Sequence, residues 1–199
     1  MMKRSNSNEY YRTMFDLAEP TKETLPELQD FVSKIQKRVP NSTLNLIGRY
    51  QIIASSIYVG STMFPWEFVA LIHRMEASSD EDKQIMNGGL WKDQSVGSIK
   101  VTSFTQSATL NIKEFFRKYR TSPKVVLASP ESILYWCEAW NGWGYRNKNM
   151  HSPYIVAGTL PVDGKFTEDG KFDPNANTKQ VGCALLLKYL SMLNISTIQ

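Results

Sequence analysis

Apolar residues recur with helical spacing along most of the chain, and polar residues fill the opposite faces. This spacing predicts helices over 8–18 and 22–38, and Pro40 stops the second because proline has no backbone donor. A third helix is predicted over 43–58, in "TLNLIGRYQIIASSIY". The pattern therefore indicates a mainly helical protein.

The clearest short helix pattern is "WEFVALIHRMEA" at 66–77, which follows Pro65, a residue that a first helical turn tolerates. Its apolar stripe has i, i+3, i+4, i+7 spacing and consists of Phe68, Leu71, Ile72 and Met75. His73 and Glu76 lie on the neighbouring face. We therefore expect Glu76 in the last turn, where a largely apolar helix meets a polar loop.

Helical periodicity is lost over 78–105, which is rich in Ser, Gly, Asp and Asn. We predict a long loop here that contains a small hairpin, with "SIKVTSF" as the candidate strand. A second irregular segment covers 141–175 and contains glycines and prolines throughout. Ordered loops of this length are usually functional or packed on the body of a domain.

Three helices are predicted in the second half of the chain. Two cover about 106–119 and 130–140, and the second of these has Ser129 and Pro130 as N-cap and first-turn residue. The last helix is predicted to begin near Asn177, with the glutamine three residues later completing a capping box. This helix is expected to close the core.

The 199 residues fit one domain, with 1–44 as a helical extension packed on a core of about 45–195. Hydrophobic residues make up 42% and charged residues 21% of the chain, which is typical of a globular protein. No apolar run approaches the ~20 residues of a membrane helix, so we expect no stable membrane insertion. The start, "MMKRSNSNEYY", lacks the apolar segment of a secretion signal, so we expect synthesis in the cytoplasm.

The formal net charge of +4 suits a polyanionic partner, either nucleic acid or an acidic cell-wall polymer. The densest basic cluster, "KEFFRKYR" at 113–120, has the pattern of a solvated helix face, and no nucleic-acid motif accompanies it, so we expect no nucleic-acid partner. Cys137 and Cys183 lie in apolar helical segments and are predicted to be buried free thiols. With two histidines in the chain, we expect no metal site.

Carboxylates are the remaining candidates for catalysis, because the chain has no nucleophile-elbow, zinc-protease, phosphate-loop or Cys-x-x-Cys motif. Glu76 is the first candidate, since partial burial at the end of an apolar helix favours a protonated carboxyl that acts as a general acid. Plain solvation is the alternative for a lone glutamate at a helix end. The candidates for a second carboxylate are Asp80, Glu81, Asp82, Asp93 and Glu138. Residues 80–82 are most simply interpreted as a solvated acidic turn.

Rings and glycines are concentrated in "WCEAWNGWGYRNK" at 136–148. Trp136 has the spacing of a helix core and is predicted to be buried. Trp143 and Tyr145 follow in a glycine-broken turn that no helix is expected to bury, where rings can stack on sugars while Asn141 bonds polar groups. The aromatic candidates for a ligand groove are Trp91, Trp136, Trp140, Trp143, Tyr145 and Tyr154.

Several motifs together resemble the core of bacterial and phage lysozyme-like proteins. In the first half they are "PWEFVALIHRMEASSD", "MNGG" and "SFTQSA", at 65–80, 86–89 and 103–108. In the second half they are "EAWNGWGYRNKNMHSPYIVAGT" and "GKFTEDGKFDPNANTKQVGCALLLKYL". Similar motifs occur in the same order in that family, and the resemblance covers about 45–190. The family is related to goose-type lysozymes and soluble lytic transglycosylases.

The resemblance implies a mainly α, single lysozyme-like domain with long ordered loops and at most a small β-hairpin. It implies cleavage of the β-1,4 bond between N-acetylmuramic acid and N-acetylglucosamine in peptidoglycan, with Glu76 as the catalytic acid. The expected substrate-binding residues are Asn87, Trp140, Asn141, Trp143, Tyr145 and Tyr154. The chain departs from the pattern at Trp140, where a tyrosine is usual, and it lacks the Gly-Leu-Met-Gln segment of soluble transglycosylases.

Two functional hypotheses follow from the sequence. The first is a peptidoglycan-cleaving enzyme, monomeric and without a cofactor, that reaches the wall in phage lysis or as part of a virion. Because no second carboxylate stands out, a one-acid mechanism is expected, with either a hydrolysed or an anhydro product. Glu138 and Asp93 stay open as second carboxylates. The alternative hypothesis is a catalytically inactive wall-binding or structural protein that keeps the groove.

Overall fold

The computed structural model describes residues 7–40, 42–57, 64–119, 129–162, 164–168, 170–176 and 178–198. Within these ranges the protein has nine α-helices and two antiparallel two-stranded sheets, so the prediction of a mainly helical fold is confirmed. The helices are α1 (Ser7–Leu17), α2 (Leu25–Gln36), α3 (Leu46–Ile57), α4 (Trp66–Ala77), α5 (Phe104–Lys118), α6 (Pro130–Asn141), α7 (Gly144–Asn147), α8 (Pro153–Val156) and α9 (Cys183–Met192). None of the described helices combines the length and the apolar composition that crossing a membrane requires.

Both sheets are short hairpins. β1 (Ser95–Val96) pairs with β2 (Ile99–Lys100) in the loop after α4, for which the sequence predicted a small hairpin. β3 (Lys165–Glu168) pairs with β4 (Lys171–Asp173), so the expectation of at most one hairpin was wrong. The second hairpin has a plain sequence cause, since its strands flank an Asp-Gly dipeptide, which favours a two-residue turn.

The chain divides into two compact units. The first unit is Met1–Gln29 with Ser129–Gln199, and the second unit is Asp30–Ala128. In the first unit, α1 packs on α6 and α9, and α8 packs on the same two helices. In the second unit, α3 packs on both α4 and α5. Residues 1–44 contribute to both units, and their role as an extension of a single domain stays a prediction.

Three predictions about the first unit are confirmed. Cys137 and Cys183 are buried free thiols. Trp136 is buried in α6. Ser129 caps α6, because its side chain accepts a backbone N–H of the first turn, and Pro130 is the first helical residue. Local capping chemistry therefore explains where this helix begins.

α9 begins at Cys183, so the predicted start near Asn177 was wrong, and Asn177 itself lies outside the described residues. The reason is tertiary. Gly182 is extended, and its N–H donates to the Ala157 carbonyl at 2.8 Å. A Cβ on Gly182 would lie 2.4 Å from the Ile155 carbonyl oxygen, so this close approach requires glycine. The packing of α8 on this segment thus sets the helix start.

α4 is more deeply buried than its apolar stripe predicted. Every side chain from Trp66 to Arg74 is buried, including the polar or charged side chains of Glu67, His73 and Arg74. Arg74 donates to the Asp30 carboxylate at 2.8 Å, which neutralises its charge at the helix surface. α4 is therefore a buried helix of the second unit rather than a surface helix.

α5 has the amphipathic pattern that the sequence predicted. It begins at Phe104, two residues before the predicted start, because the Ser103 side chain accepts the Gln106 N–H. Its exposed charged residues are Lys113, Glu114, Arg117 and Lys118. Phe115 and Phe116 are buried between them. The basic cluster is thus a solvated helix face over its described part, and Arg120 lies outside the described residues.

Candidate functional site

Glu76 lies in the last turn of α4, as predicted, and its side chain is half-buried. The helix ends directly after it, because Ser78 adopts the left-handed conformation with φ 54°. Ser79 also has a positive φ, of 58°. Two consecutive left-handed residues other than glycine are costly, and such strain concentrates at functional sites. The chain therefore turns sharply just after Glu76.

His73 fixes this turn to the helix. Its Nε2 lies 2.8 Å from the Asp80 carbonyl oxygen, and its Nδ1 lies 2.8 Å from the Tyr50 hydroxyl. Because a carbonyl only accepts, Nε2 carries the proton and donates, and the Tyr50 hydroxyl donates to Nδ1. Burial lowers the pKa of His73 to about 4, which keeps the ring neutral in this arrangement. The imidazole thereby ties α3, α4 and the loop after Glu76 together.

Asn87 and Gly88 place a second segment against the end of α4. A Cβ on Gly88 would lie 2.5 Å from the Glu76 carbonyl oxygen, and Gly88 has a φ of 66°, so this contact requires glycine. The Asn87 side-chain oxygen accepts from Gln84 Nε2 and from Gly89 N, both at 3.0 Å. Asn87 is exposed and structures the loop beside Glu76. Its predicted contact with substrate stays a prediction.

The acidic turn after Glu76 is held by ion pairs. Asp80 pairs with Lys83 at 3.7 Å, and Asp82 pairs with Lys92 at 3.2 Å. Both carboxylates are exposed, in agreement with a solvated turn. Asp93 is exposed in the 3₁₀ turn that follows. Glu81 of the same turn is half-buried and pairs with Arg49 at 3.3 Å. Partial burial therefore distinguishes Glu76 from Asp80, Asp82 and Asp93, but not from Glu81.

The first unit contains a cavity of about 480 Å³ in the ring-rich segment. It brings together three predicted ligand residues, Asn141, Trp143 and Tyr145. The hairpin β3–β4 forms the other wall through Phe166 and Glu168. Sequence reasoning missed this wall. The sequence signal for the hairpin is the Asp-Gly dipeptide between two Lys-Phe pairs. This signal predicts a hairpin, but it does not predict which part of the chain the hairpin packs against.

Tyr145 has a different position from the predicted one. It lies in α7 and is buried, so the expectation of a turn that buries no ring was wrong. Its hydroxyl accepts the Phe166 N–H at 2.8 Å, and the two rings pack edge to face with centroids 4.9 Å apart. Burial raises the pKa of Tyr145. Tyr145 therefore anchors the hairpin and contributes one edge of the cavity.

Two other predicted groove residues do not line this cavity. Trp140 is half-buried in α6, and Tyr154 is buried in α8 with 8% of its surface exposed. The small exposed fraction of Tyr154 leaves little ring surface for a sugar. Their roles in substrate binding stay predictions.

Glu138, a candidate second carboxylate, is fully buried in the first unit and does not line the cavity. Its carboxylate accepts the hydroxyl of Tyr11, which ties α1 to α6. Burial and the neighbouring carboxylate raise the pKa of Tyr11, so its hydroxyl stays protonated and donates. Arg146 Nη1 donates to the same hydroxyl at 3.3 Å. This geometry gives Glu138 a structural function.

Arg146 extends this buried network to the cavity. Its guanidinium carbon lies 5.2 Å from the ring centre of Trp143 and 5.6 Å from that of Tyr135. A cation over the face of an aromatic ring is attracted by the negative charge of the ring electrons, so these contacts are favourable. A chain of contacts thus runs from the N-terminal helix to an aromatic side chain of the cavity.

Comparisons of the chain with protein-family models, with curated proteins and with solved structures found no match. Across the described ranges, no group of three or more His, Cys, Asp or Glu side chains is placed to hold a metal ion. The predicted site residues fall into two sets. The candidates between positions 76 and 93 belong to the second unit, and those between positions 136 and 154 belong to the first.

Proposed function

We propose that this protein cleaves the glycan strand of peptidoglycan at the β-1,4 bond between N-acetylmuramic acid and N-acetylglucosamine, with Glu76 as general acid and base. The observation that carries the proposal is the position of Glu76 in the chain fold. It is half-buried at the end of a buried helix, on a turn fixed by His73 and by Gly88. General acids require such a fixed and partly desolvated position. The ordered motifs around it, similar to those of lysozyme-like proteins, support the same assignment.

The chemistry requires one carboxyl group. Protonated Glu76 donates to the oxygen of the leaving sugar, and the acetamido group of the substrate supports the developing oxocarbenium centre. The Glu76 carboxylate then deprotonates one of two nucleophiles that attack the anomeric carbon. Water gives a reducing end, and the 6-hydroxyl of the sugar that carries the oxocarbenium centre gives a 1,6-anhydro sugar. This scheme fits the surroundings of Glu138 and Asp93, since the first is bound by Tyr11 and the second is exposed.

The cavity of the first unit supplies the second part of the proposal, which is contact with sugar. Trp143 offers a half-buried ring, and Asn141 is exposed with an amide that can bond hydroxyl or acetamido groups. A volume of about 480 Å³ is in the range of small-ligand sites. We assign this cavity to a sugar of the polymer. A setting in phage lysis or in a virion is part of the same proposal.

The test is incubation of the purified protein with purified sacculi, followed by mass spectrometry of the released muropeptides. Reducing ends identify hydrolysis, and products lighter by one water identify transglycosylation. Glu76→Gln keeps the size of the side chain and should reduce product formation by about 100-fold or more. Asp82→Asn is the matched control, because it removes an exposed carboxylate of the same loop and should leave the rate within about twofold.

Three outcomes would contradict the proposal. Release of no soluble product from intact or peptide-stripped sacculi would exclude glycan cleavage. Sedimentation of the protein with sacculi without any product would instead favour the catalytically inactive wall-binding protein. A Glu76→Gln variant as active as the unchanged protein would remove Glu76 from the mechanism.

A further inference from the structure

A second cavity, of about 370 Å³, lies in the second unit, and the residues that follow Glu76 form part of its lining. Ala77 and Ser79 come from the turn after α4, and both are buried. Val39 and Leu46 add two more buried apolar side chains. The cavity thus has an apolar floor directly beside the turn that positions the proposed acid.

The other part of its lining is basic. Four cationic side chains border the cavity, namely Lys34, Lys37, Arg38 and Lys83. Two of them already have carboxylate partners, since Lys34 pairs with Asp30 at 3.1 Å and Lys83 pairs with Asp80 at 3.7 Å. Asp30 also accepts from Arg74. Glu81, which also lines the cavity, pairs with Arg49 at 3.3 Å. The acidic groups of the described lining are therefore already in ion pairs.

Lys37 and Arg38 differ from these two. Within the described ranges neither of them forms an ion pair, and both are exposed. Arg38 Nε donates to the Ser42 carbonyl at 2.7 Å, which orients the guanidinium. Its two terminal nitrogens remain for a ligand, and a guanidinium edge matches the two oxygens of a carboxylate. The cavity therefore offers two cationic groups that form no ion pair with a described residue.

The buried Ser79 hydroxyl adds a polar group to the apolar floor. The Ser79 side chain is within hydrogen-bonding reach of the Tyr50 hydroxyl, so it belongs to the network that holds the turn after α4. The cavity thus combines an apolar floor with two cations.

We propose that this cavity binds a carboxylate-bearing amino-acid residue, and that in peptidoglycan this residue belongs to the peptide attached to the glycan. The apolar floor suits the hydrocarbon part of such a residue, which a phosphate polymer lacks. Among the described residues of the lining none is aromatic, so these residues offer no platform for base stacking. The identity of the polymer rests on the proposed function, and the carboxylate site itself does not.

The first experiment measures sedimentation of the Glu76→Gln protein with sacculi that carry no teichoic acid, so that binding is separated from cleavage. Adding Lys37→Gln and Arg38→Gln should weaken binding to intact sacculi about tenfold and leave binding to peptide-stripped sacculi unchanged. Lys113→Gln with Lys118→Gln removes the same charge from exposed α5 positions and is the matched control. Equal weakening by the control pair would reduce the effect to net charge and overturn the proposal.

Other outcomes of this experiment are equally informative. Equal loss of binding to intact and stripped sacculi would show that the cavity contacts the glycan rather than the peptide. An effect seen only with sacculi that carry teichoic acid would assign the cations to phosphate. Both results contradict the assignment to a peptide carboxylate.

The second experiment is independent of peptidoglycan, so it separates failure of this site from failure of the proposed function. N-acetyl-alanyl-glutamate amide is titrated into the unchanged protein and followed by amide NMR signals. Shifts at 37–39 and 77–81 are expected, with at least about fivefold weaker binding of the glutamine analogue. Equal binding of both peptides, or shifts elsewhere, would overturn the carboxylate site.

Discussion

Mild acid should destabilise the second unit through one side chain, His73. The ring is neutral in the folded state, where it donates to the Asp80 carbonyl and accepts from the Tyr50 hydroxyl. Protonation removes the acceptor on Nδ1 and places a charge in a buried position. Burial is the main reason why its pKa falls from 6.5 to about 4, and the neighbouring Asp80 opposes that fall. The perturbation is therefore a change of pH from 7 to 5.

The direction follows from proton binding. Between pH 6.5 and about 4 the unfolded chain binds a proton at His73 and the folded protein does not, so stability falls as the pH falls. Each pKa unit between the two states corresponds to about 1.4 kcal/mol, so the full loss approaches about 3 kcal/mol. About 2 kcal/mol of this loss is expected between pH 7 and pH 5. That is a large fraction of the ~5–15 kcal/mol that stabilises a typical domain.

Urea unfolding by circular dichroism at pH 7 and at pH 5 measures this loss. His73→Gln keeps an amide donor for the Asp80 carbonyl and does not titrate, so it should lower stability at pH 7 but lose about 2 kcal/mol less on acidification. Proton NMR measures the pKa itself, and the exposed His151 provides a reference signal in the same spectrum. An unchanged pH effect in His73→Gln, or titration of His73 near 6.5, would refute the reasoning.

Two further substitutions test the positions around the candidate site and the first unit. Gly88→Ala should lower the free energy of unfolding in urea by about 3 kcal/mol and abolish product release, because its Cβ would lie 2.5 Å from a carbonyl oxygen. The control is Gly97→Ala, which should lower the same free energy by about 1 kcal/mol, because Gly97 has a φ of 60° but no atom within 4 Å of the added Cβ. Equal costs would contradict the packing of that loop. Tyr11→Phe should lower the free energy of thermal unfolding by about 2–3 kcal/mol, because it removes the hydroxyl that donates to the buried Glu138 carboxylate. The control is Tyr10→Phe, which removes a partly exposed hydrogen bond and should lower it by less than about 1 kcal/mol. A neutral Tyr11→Phe would show that the hydroxyl contributes nothing to stability.

Local signals were sufficient for much of the helical structure. The apolar spacing after Pro65 predicted α4 with both ends correct, and Ser129 with Pro130 marked the start of α6. Such signals act within a few residues, so they are visible in the sequence. The start of α9 was missed because Gly182 is held by α8, a contact that no local pattern encodes.

The candidate site divides in the same way. The position of Glu76 at a helix end followed from periodicity, whereas the support of its turn by Tyr50 and His73 depends on the packing of α3 on α4. Tyr145 was expected in an open turn, because the hairpin that buries it lies about twenty residues further along the chain. Lys37 and Arg38 were not singled out, since only the fold places them beside the residues that follow Glu76.

The stacked position of Arg146 has a consequence for the entropy of ligand binding. With the guanidinium against its face and the Tyr135 ring at its side, the Trp143 indole has few alternative rotamers in the free protein. A ligand that stacks on this indole therefore costs little side-chain entropy, because the indole is already held in place. Preorganisation of this kind improves affinity without adding a contact. The N-terminal helix contributes to that preorganisation through Tyr11, although it lies outside the cavity lining.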